Sequence, residues 1–75
     1  MQMPRLEKRS VSLNGHRTSI ALEPEFWAAL AAAAARSGIS LAALIARIDS
    51  ERAAGAPERG LASALRVYAL TAQRL

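Results

Sequence analysis

The chain has 75 residues, no cysteine and a formal net charge of +4 at pH 7. A single domain of this length buries only about 60% of its unfolded surface, so we expect association with a second chain to complete its core. Without cysteine, the sequence excludes a disulfide framework, a thiolate zinc site and a cysteine nucleophile, and its one histidine, His16, cannot form a metal site alone.

The basic charge is concentrated near the N-terminus. Residues 1–19 carry four basic residues against one acidic residue, a net charge of +3. Because residues 1–9 show no periodicity, we predict a flexible basic arm there. Residues 1–19 are where a polyanion would bind, although a solvated basic tail explains the charge equally well. Its basic residues are Arg5, Lys8, Arg9 and Arg17.

Two short alternating runs, "RSVSL" and "HRTSIAL", are separated by Asn14-Gly15. This pair readily adopts the positive φ angles of a type I′ turn, so residues 10–22 are predicted to form a β-hairpin or, as the alternative, one strand. Strand side chains alternate between two faces. In the second run Thr18, Ile20 and Leu22 are therefore predicted to face inward. The outward positions are Arg17, Ser19 and Ala21.

A first helix is predicted over residues 24–37. Pro24 suits the first helical turn, and Glu23 and Glu25 are expected to cap the positive end of the helix dipole. Gly38 is predicted to end this helix in a left-handed conformation.

A second helix is predicted over residues 41–53, with Ser40 as its N-cap. Its apolar residues recur at the helical spacing i, i+3, i+4, i+7. Residues 54–60, "AGAPERG", indicate a linker, and a third helix is predicted over residues 61–74. That helix either closes the core or docks a second protein. The second helix's stripe consists of Leu41, Leu44, Ile45 and Ile48.

The sequence offers no constellation typical of an enzyme. It lacks a glycine-rich phosphate loop and metal-ligand spacing, and its few carboxylates are explained by helix ends or by pairing with arginine. The longest apolar run, residues 26–35, is far shorter than the roughly 20 residues of a membrane span. We therefore expect a soluble cytoplasmic protein with no catalytic activity, cofactor, metal or membrane partner.

The remaining chemistry indicates recognition of a nucleic acid. A two-stranded antiparallel ribbon fits the major groove of B-DNA, and the N-terminus of a helix binds phosphate through free amides. This chain has both parts, since Arg17 and Ser19 lie on the outward face of a strand and "GIS", residues 38–40, opens a helix. A strand that pairs with its copy in a second chain would form the ribbon.

The order strand, helix, "SGIS" turn and helix resembles the ribbon-helix-helix family, the fold of the Arc and methionine repressors. More closely, the ordered set "RTS", "LEPEFW" and "LAALI" is similar to a group of small bacterial ribbon-helix-helix domain proteins. The resemblance covers roughly residues 8–70.

This resemblance implies a fold that is mainly α with an N-terminal ribbon, assembled as an intertwined homodimer and followed here by a third C-terminal helix. The two chains' strands would pair antiparallel, and Arg17, Ser19 and Ala21 would face DNA. Backbone amides near Ile39, Ser40 and Leu41 would contact phosphates. The implied shared core is Ile20, Leu22, Phe26, Trp27, Leu30, Leu41, Leu44, Ile45 and Ile48.

The function implied is a sequence-specific DNA-binding protein, a small transcriptional regulator whose β-ribbon enters the major groove. Arg5, Lys8, Arg9 and Arg17 would contact phosphates, and base contacts would depend mainly on Arg17 and Ser19, because Ala21 can only touch a thymine methyl. The alternative is a dimeric protein-interaction module, antitoxin-like or an assembly partner, that binds a second protein through its third helix or its sheet.

The predicted hairpin conflicts with simple insertion into the groove. A dimer with two hairpins has four strands, and at about 4.8 Å per strand its outer strands are about 14 Å apart. The major groove is only about 12 Å wide. Three outcomes remain open from the sequence: the first strand separates on binding, the sheet contacts DNA differently, or the protein does not read the groove.

Overall fold

The computed structural model describes residues 5–72, which form a β-hairpin followed by three helices. This confirms the predicted fold class for a single chain. Residues 1–4 of the predicted arm and residues 73 and 74 of the predicted third helix lie outside the described residues. The elements are β1 (Glu7–Leu13), β2 (His16–Leu22), α1 (Pro24–Ser37), α2 (Leu41–Gly55) and α3 (Leu61–Ala72).

The hairpin is present, so the single-strand alternative is wrong. β1 and β2 pair antiparallel, with Leu13 opposite His16 at the turn. Asn14 and Gly15 have φ angles of 52° and 84°, both positive as a type I′ turn requires.

β1 begins at Glu7, earlier than the predicted start at residue 10. Residues 7–9, which we expected in the flexible arm, pair with residues 20–22 of β2. Trp27 also holds this end of the strand, since its indole Nε1–H donates to the Glu7 carbonyl oxygen at 2.8 Å. The boundary was misplaced because residues 7–9 are all charged and show no alternation with apolar residues, and because the contact with Trp27 is not local.

The turn between α1 and α2 follows the predicted local signals. Gly38 has a φ of 70° and ends α1, with its N–H donating to the Ala35 carbonyl at 3.1 Å. The Ile39 N–H donates to the Ala34 carbonyl at the same distance of 3.1 Å. Ser40 then caps α2, its Oγ accepting from the Ala43 N–H at 3.0 Å.

α2 continues to Gly55, past its predicted end at residue 53. The break is set by Pro57, because a residue before proline is disfavoured in the helical conformation, and that residue, Ala56, is no longer helical. Arg52 ties the following turn to the helix by donating to the carbonyl oxygens of Pro57 and Arg59, at 3.3 and 3.0 Å.

The core lies between the inner face of the hairpin and the three helices. Phe26 and Leu41, expected in the core, are only partly buried at its margin, whereas Leu13 joins it from the turn end of β1. Leu65 and Ala69 are buried, so α3 has the core role within this chain. The buried side chains are Leu13, Ile20, Leu22, Trp27, Ala29, Leu30, Ala33, Ala34, Leu44, Ile45, Ile48, Leu65 and Ala69.

An ion pair fixes α3 to the junction between β2 and α1. The Arg66 Nε–H donates to the Glu23 carboxylate at 2.9 Å, and the Arg66 guanidinium lies 5.8 Å from the Phe26 ring centroid. Glu23 occupies the N-cap position of α1, but its side chain makes no capping hydrogen bond. Glu23 thus lies at the positive end of the α1 dipole, as expected, while its carboxylate accepts from Arg66 on α3.

Within residues 5–72, no single helix is both long and apolar enough to cross a membrane. α1 and α2 meet the length and hydropathy requirements only as a joined pair, and they are bent by 98° relative to each other.

Candidate nucleic-acid interface

The strand register creates a polar surface on the side of the hairpin away from the helices. Opposite residues of two antiparallel strands have their side chains on the same face. Here Lys8 lies opposite Ala21, Ser10 opposite Ser19, and Ser12 opposite Arg17. We call these six residues the outer face; all are exposed except Ala21, which is partly buried.

The structure thus places Arg17, Ser19 and Ala21, the predicted DNA-facing residues, side by side on the outer face. It also adds Ser10 and Ser12, which the sequence prediction did not include. Their signal was available: a two-residue turn at Asn14-Gly15 puts residue 12 opposite residue 17 and residue 10 opposite residue 19. Counting outward from the turn would have found both.

The outer face carries two cations and no acidic residue. Lys8 and Arg17 are exposed, and neither makes a salt bridge within the part of the chain that the structure describes. Small hydroxyl side chains fill most of the space between them. The surface is therefore basic at its two ends and carries small side chains between them, which suits a polyanion.

Arg9 lies on the opposite face from Lys8, although the sequence prediction assigned both residues to phosphate contacts. Its guanidinium carbon is 4.6 Å from the Trp27 ring centroid, within the range of a cation–π interaction. It also forms a salt bridge with Glu7. Arg5, the third expected phosphate contact in this region, is exposed before β1 begins.

β2 has one edge that is not paired within residues 5–72, because the sheet there has only two strands. In an antiparallel pair, residues alternate between those that exchange backbone hydrogen bonds and those that do not. Since the turn is closed by a hydrogen-bonded pair, Leu13 and His16, the pairs made by residues 12, 10 and 8 are not hydrogen-bonded. The backbone groups of Arg17, Ser19 and Ala21 therefore point to the open edge of β2.

The predicted phosphate site at the start of α2 is only partly available. Ile39 does not offer a free amide, because its N–H already closes the end of α1. The Ser40 side chain occupies the Ala43 N–H. The N–H groups of Leu41 and Ala42 belong to the first helical turn, which has no intrahelical acceptors, and they are left for solvent or an anion.

A metal site is absent from the part of the chain that the structure describes. Residues 5–72 contain no group of three or more histidine, cysteine, aspartate or glutamate side chains placed to hold a metal ion. The outer face likewise holds no titratable acid or base beyond its two cations.

Comparison with known proteins identifies a family for this chain. No curated protein and no solved structure matches the chain. The ribbon-helix-helix domain model matches residues 6–73, which include the hairpin and the three helices. By its order of elements and by this match over nearly its whole length, the chain belongs to the ribbon-helix-helix domain family.

Proposed function

We propose that this protein is a homodimeric DNA-binding protein that acts as a small transcriptional regulator in the bacterial cytoplasm. Domains of its family are typically DNA-binding or regulatory and are generally not enzymes. The observation that carries the proposal is the outer face, where Arg17 and Lys8 stand exposed and free of acidic neighbours on a strand surface.

The dimer is proposed to form along the open edge of β2. Ser19 is the middle residue of this strand, so antiparallel pairing centred on it puts Arg17 of one chain opposite Ala21 of the other. The pairing satisfies the backbone groups that are open at this edge. It also gives a small domain the additional buried surface that its length requires.

DNA is proposed to meet the outer face of this paired sheet. Arg17 has the geometry for a guanine edge or a phosphate, Ser19 donates or accepts, and Ala21 offers only an apolar contact. Lys8 and Arg5 would contact phosphates, as would the amides at the start of α2 near Ser40 and Leu41.

Substitution of Arg17 tests this role of the strand. Sequences bound from random duplex DNA are selected first, and affinities for one of them are then measured by fluorescence anisotropy at several salt concentrations. Arg17→Ala removes two cations per dimer, so we expect weaker binding, a relaxed sequence preference and a salt slope smaller by about 1.8.

Arg59→Ala is the matched control for charge. Arg59 is exposed in the loop after α2, a helix about 22 Å long that separates it from the Ser40 turn. The same loss of charge there should leave the salt slope nearly unchanged. If Arg17→Ala binds the selected site as well as the unaltered protein does, the strand is not the DNA-contacting element.

A protein-interaction module is the second candidate, favoured by apolar exposure on α3. Val67 and Leu70 are 44% and 59% exposed. Val67 also lines a cleft of about 330 Å³ between α2 and α3. A stable dimer that is not retained on DNA at low salt, and that binds a second protein in a manner abolished by Leu70→Asp, would favour this candidate.

A further inference from the structure

We propose that β1 remains in the sheet when the protein binds DNA, so that the contacting surface is four strands wide and includes Lys8, Ser10 and Ser12. This inference rests on the proposed DNA-binding dimer. Of the three outcomes that the sequence left open, it selects contact with DNA through the intact sheet. It also gives the adjacent cations different roles: Lys8 contacts phosphate, and Arg9 holds β1 against Trp27.

The first support is the attachment of β1 to α1. Trp27 is 1% exposed and donates its indole N–H to the Glu7 carbonyl oxygen at 2.8 Å. Arg9 covers the Trp27 ring at 4.6 Å, and Glu7 pairs with Arg9. The end of β1 farthest from the turn is thus held both by β2 and by a buried aromatic residue of the helix below it.

The second support is the burial of β1 itself. Leu13 is 5% exposed, and Val11 packs against the same core. Separation of β1 would expose Leu13 and uncover Trp27, and it would break the strand pairing along seven residues. Separation would gain no outer-face contacts with DNA to offset this lost burial and pairing, because the outer-face residues of β1 are already exposed in the intact sheet.

The third support is the distribution of charge over the widened face. In the dimer Lys8 lies on the two outermost strands, which are about 14 Å apart. The major groove is about 12 Å wide, so such a sheet lies across the groove rather than in it. Its lysines then meet the phosphates at the margins, while the central row, Ser10 and Ser19 of both chains, has side chains short enough for close approach.

Lys8 and Arg9 provide a matched pair for the test. They are adjacent, both exposed and both basic, but they lie on opposite faces of one strand. We compare Lys8→Gln and Arg9→Gln by measuring the affinity of each dimer for a duplex of about 20 base pairs against salt concentration. Lys8→Gln should lower the magnitude of the slope by about 1.8, and Arg9→Gln should leave it unchanged.

Hydrogen exchange provides the second measurement, and its main comparison, free against DNA-bound, uses the unaltered protein. The amides of Arg9 and Val11 face β2, and we expect their protection to be the same in the free and DNA-bound states. Arg9→Gln should speed their exchange in the free protein, because it removes the guanidinium over Trp27.

The outcomes separate the inference from the function on which it rests. Binding with β1 amides protected and a slope change only in Lys8→Gln supports the inference. Binding with those amides exchanging freely, or equal slope changes in both variants, overturns it and leaves the DNA-binding function intact. Failure of the unaltered dimer to bind any duplex at low salt overturns both.

Discussion

Charged residues that are close together in the hairpin and near the start of α1 make different contacts. Their positions in the strands and helices determine which contacts they make. Lys8 and Arg17 project from the outer face, whereas Arg9 lies against Trp27 and Arg66 lies against Phe26 while pairing with Glu23. Composition counts these cations as equal. Only the alternation along β1 and the position of α3 distinguish surface charge from charge that fastens elements together.

The Glu23–Arg66 pair predicts a specific dependence of stability on pH. The hydrogen bond from Arg66, followed by one from the Glu23 amide, holds the pKa of Glu23 below its ordinary value of 4.5. A carboxyl whose pKa is lowered by folding stabilises the protein above its unfolded pKa, and this contribution is lost as the pH falls through the folded pKa. Glu23→Gln should therefore destabilise the protein at pH 7 and destabilise it less at pH 3, where more of the carboxyl group is protonated.

Urea unfolding of both proteins at the two pH values measures this difference. Glu25→Gln is the control, since Glu25 is exposed in the same helical turn and makes no salt bridge within residues 5–72. An equal loss of stability in Glu23→Gln at pH 3 and pH 7 would show that the ionised pair is not what fastens α3.

At the scale of elements, local signals predicted most of the boundaries. The Asn14-Gly15 turn, Pro24, Gly38 and Ser40 each act through their own backbone geometry or a hydrogen bond a few residues away, so their effects are readable in the sequence. The start of β1 was not predicted, because it depends on Trp27, which lies 20 residues away in the chain.

α3 provides a prediction on packing from two leucines of one helix. Leu65 is fully buried and Leu70 is 59% exposed. Leu65→Ala should lower the free energy of unfolding by about 2–5 kcal/mol, because it removes core contacts and leaves a cavity. Leu70→Ala should change it by no more than about 0.5 kcal/mol.

Chemical denaturation of the two variants distinguishes a core helix from one that is merely appended. Similar small effects would mean that α3 does not contribute to the core. A large loss in Leu70→Ala would instead show that the exposed side of α3 is buried against another chain, which the proposed pairing along β2 does not require.

For the whole molecule, the outward strand positions and the four-strand width were predictable, and whether β1 stays in the sheet was not. Period-2 alternation was enough to select Arg17, Ser19 and Ala21, which need only the strand's own geometry. Ser10 and Ser12 follow from the register that the Asn14-Gly15 turn sets, whereas the fate of β1 depends on the contacts beneath it. Assembly depends on a second chain, so it requires a measurement.

The most direct measurement is a disulfide cross-link across the proposed two-fold axis, which the absence of native cysteine makes clean. Hydrogen-bonded antiparallel partners have Cα atoms about 5.5 Å apart, within disulfide range, whereas the two copies of Ser10 would be about 14 Å apart. Under mild oxidation, Ser19→Cys should give a covalent dimer on a non-reducing gel, and Ser10→Cys should not. A Ser19→Cys protein that stays monomeric, or a Ser10→Cys protein that cross-links instead, would contradict pairing along β2 and the DNA-binding surface built on it.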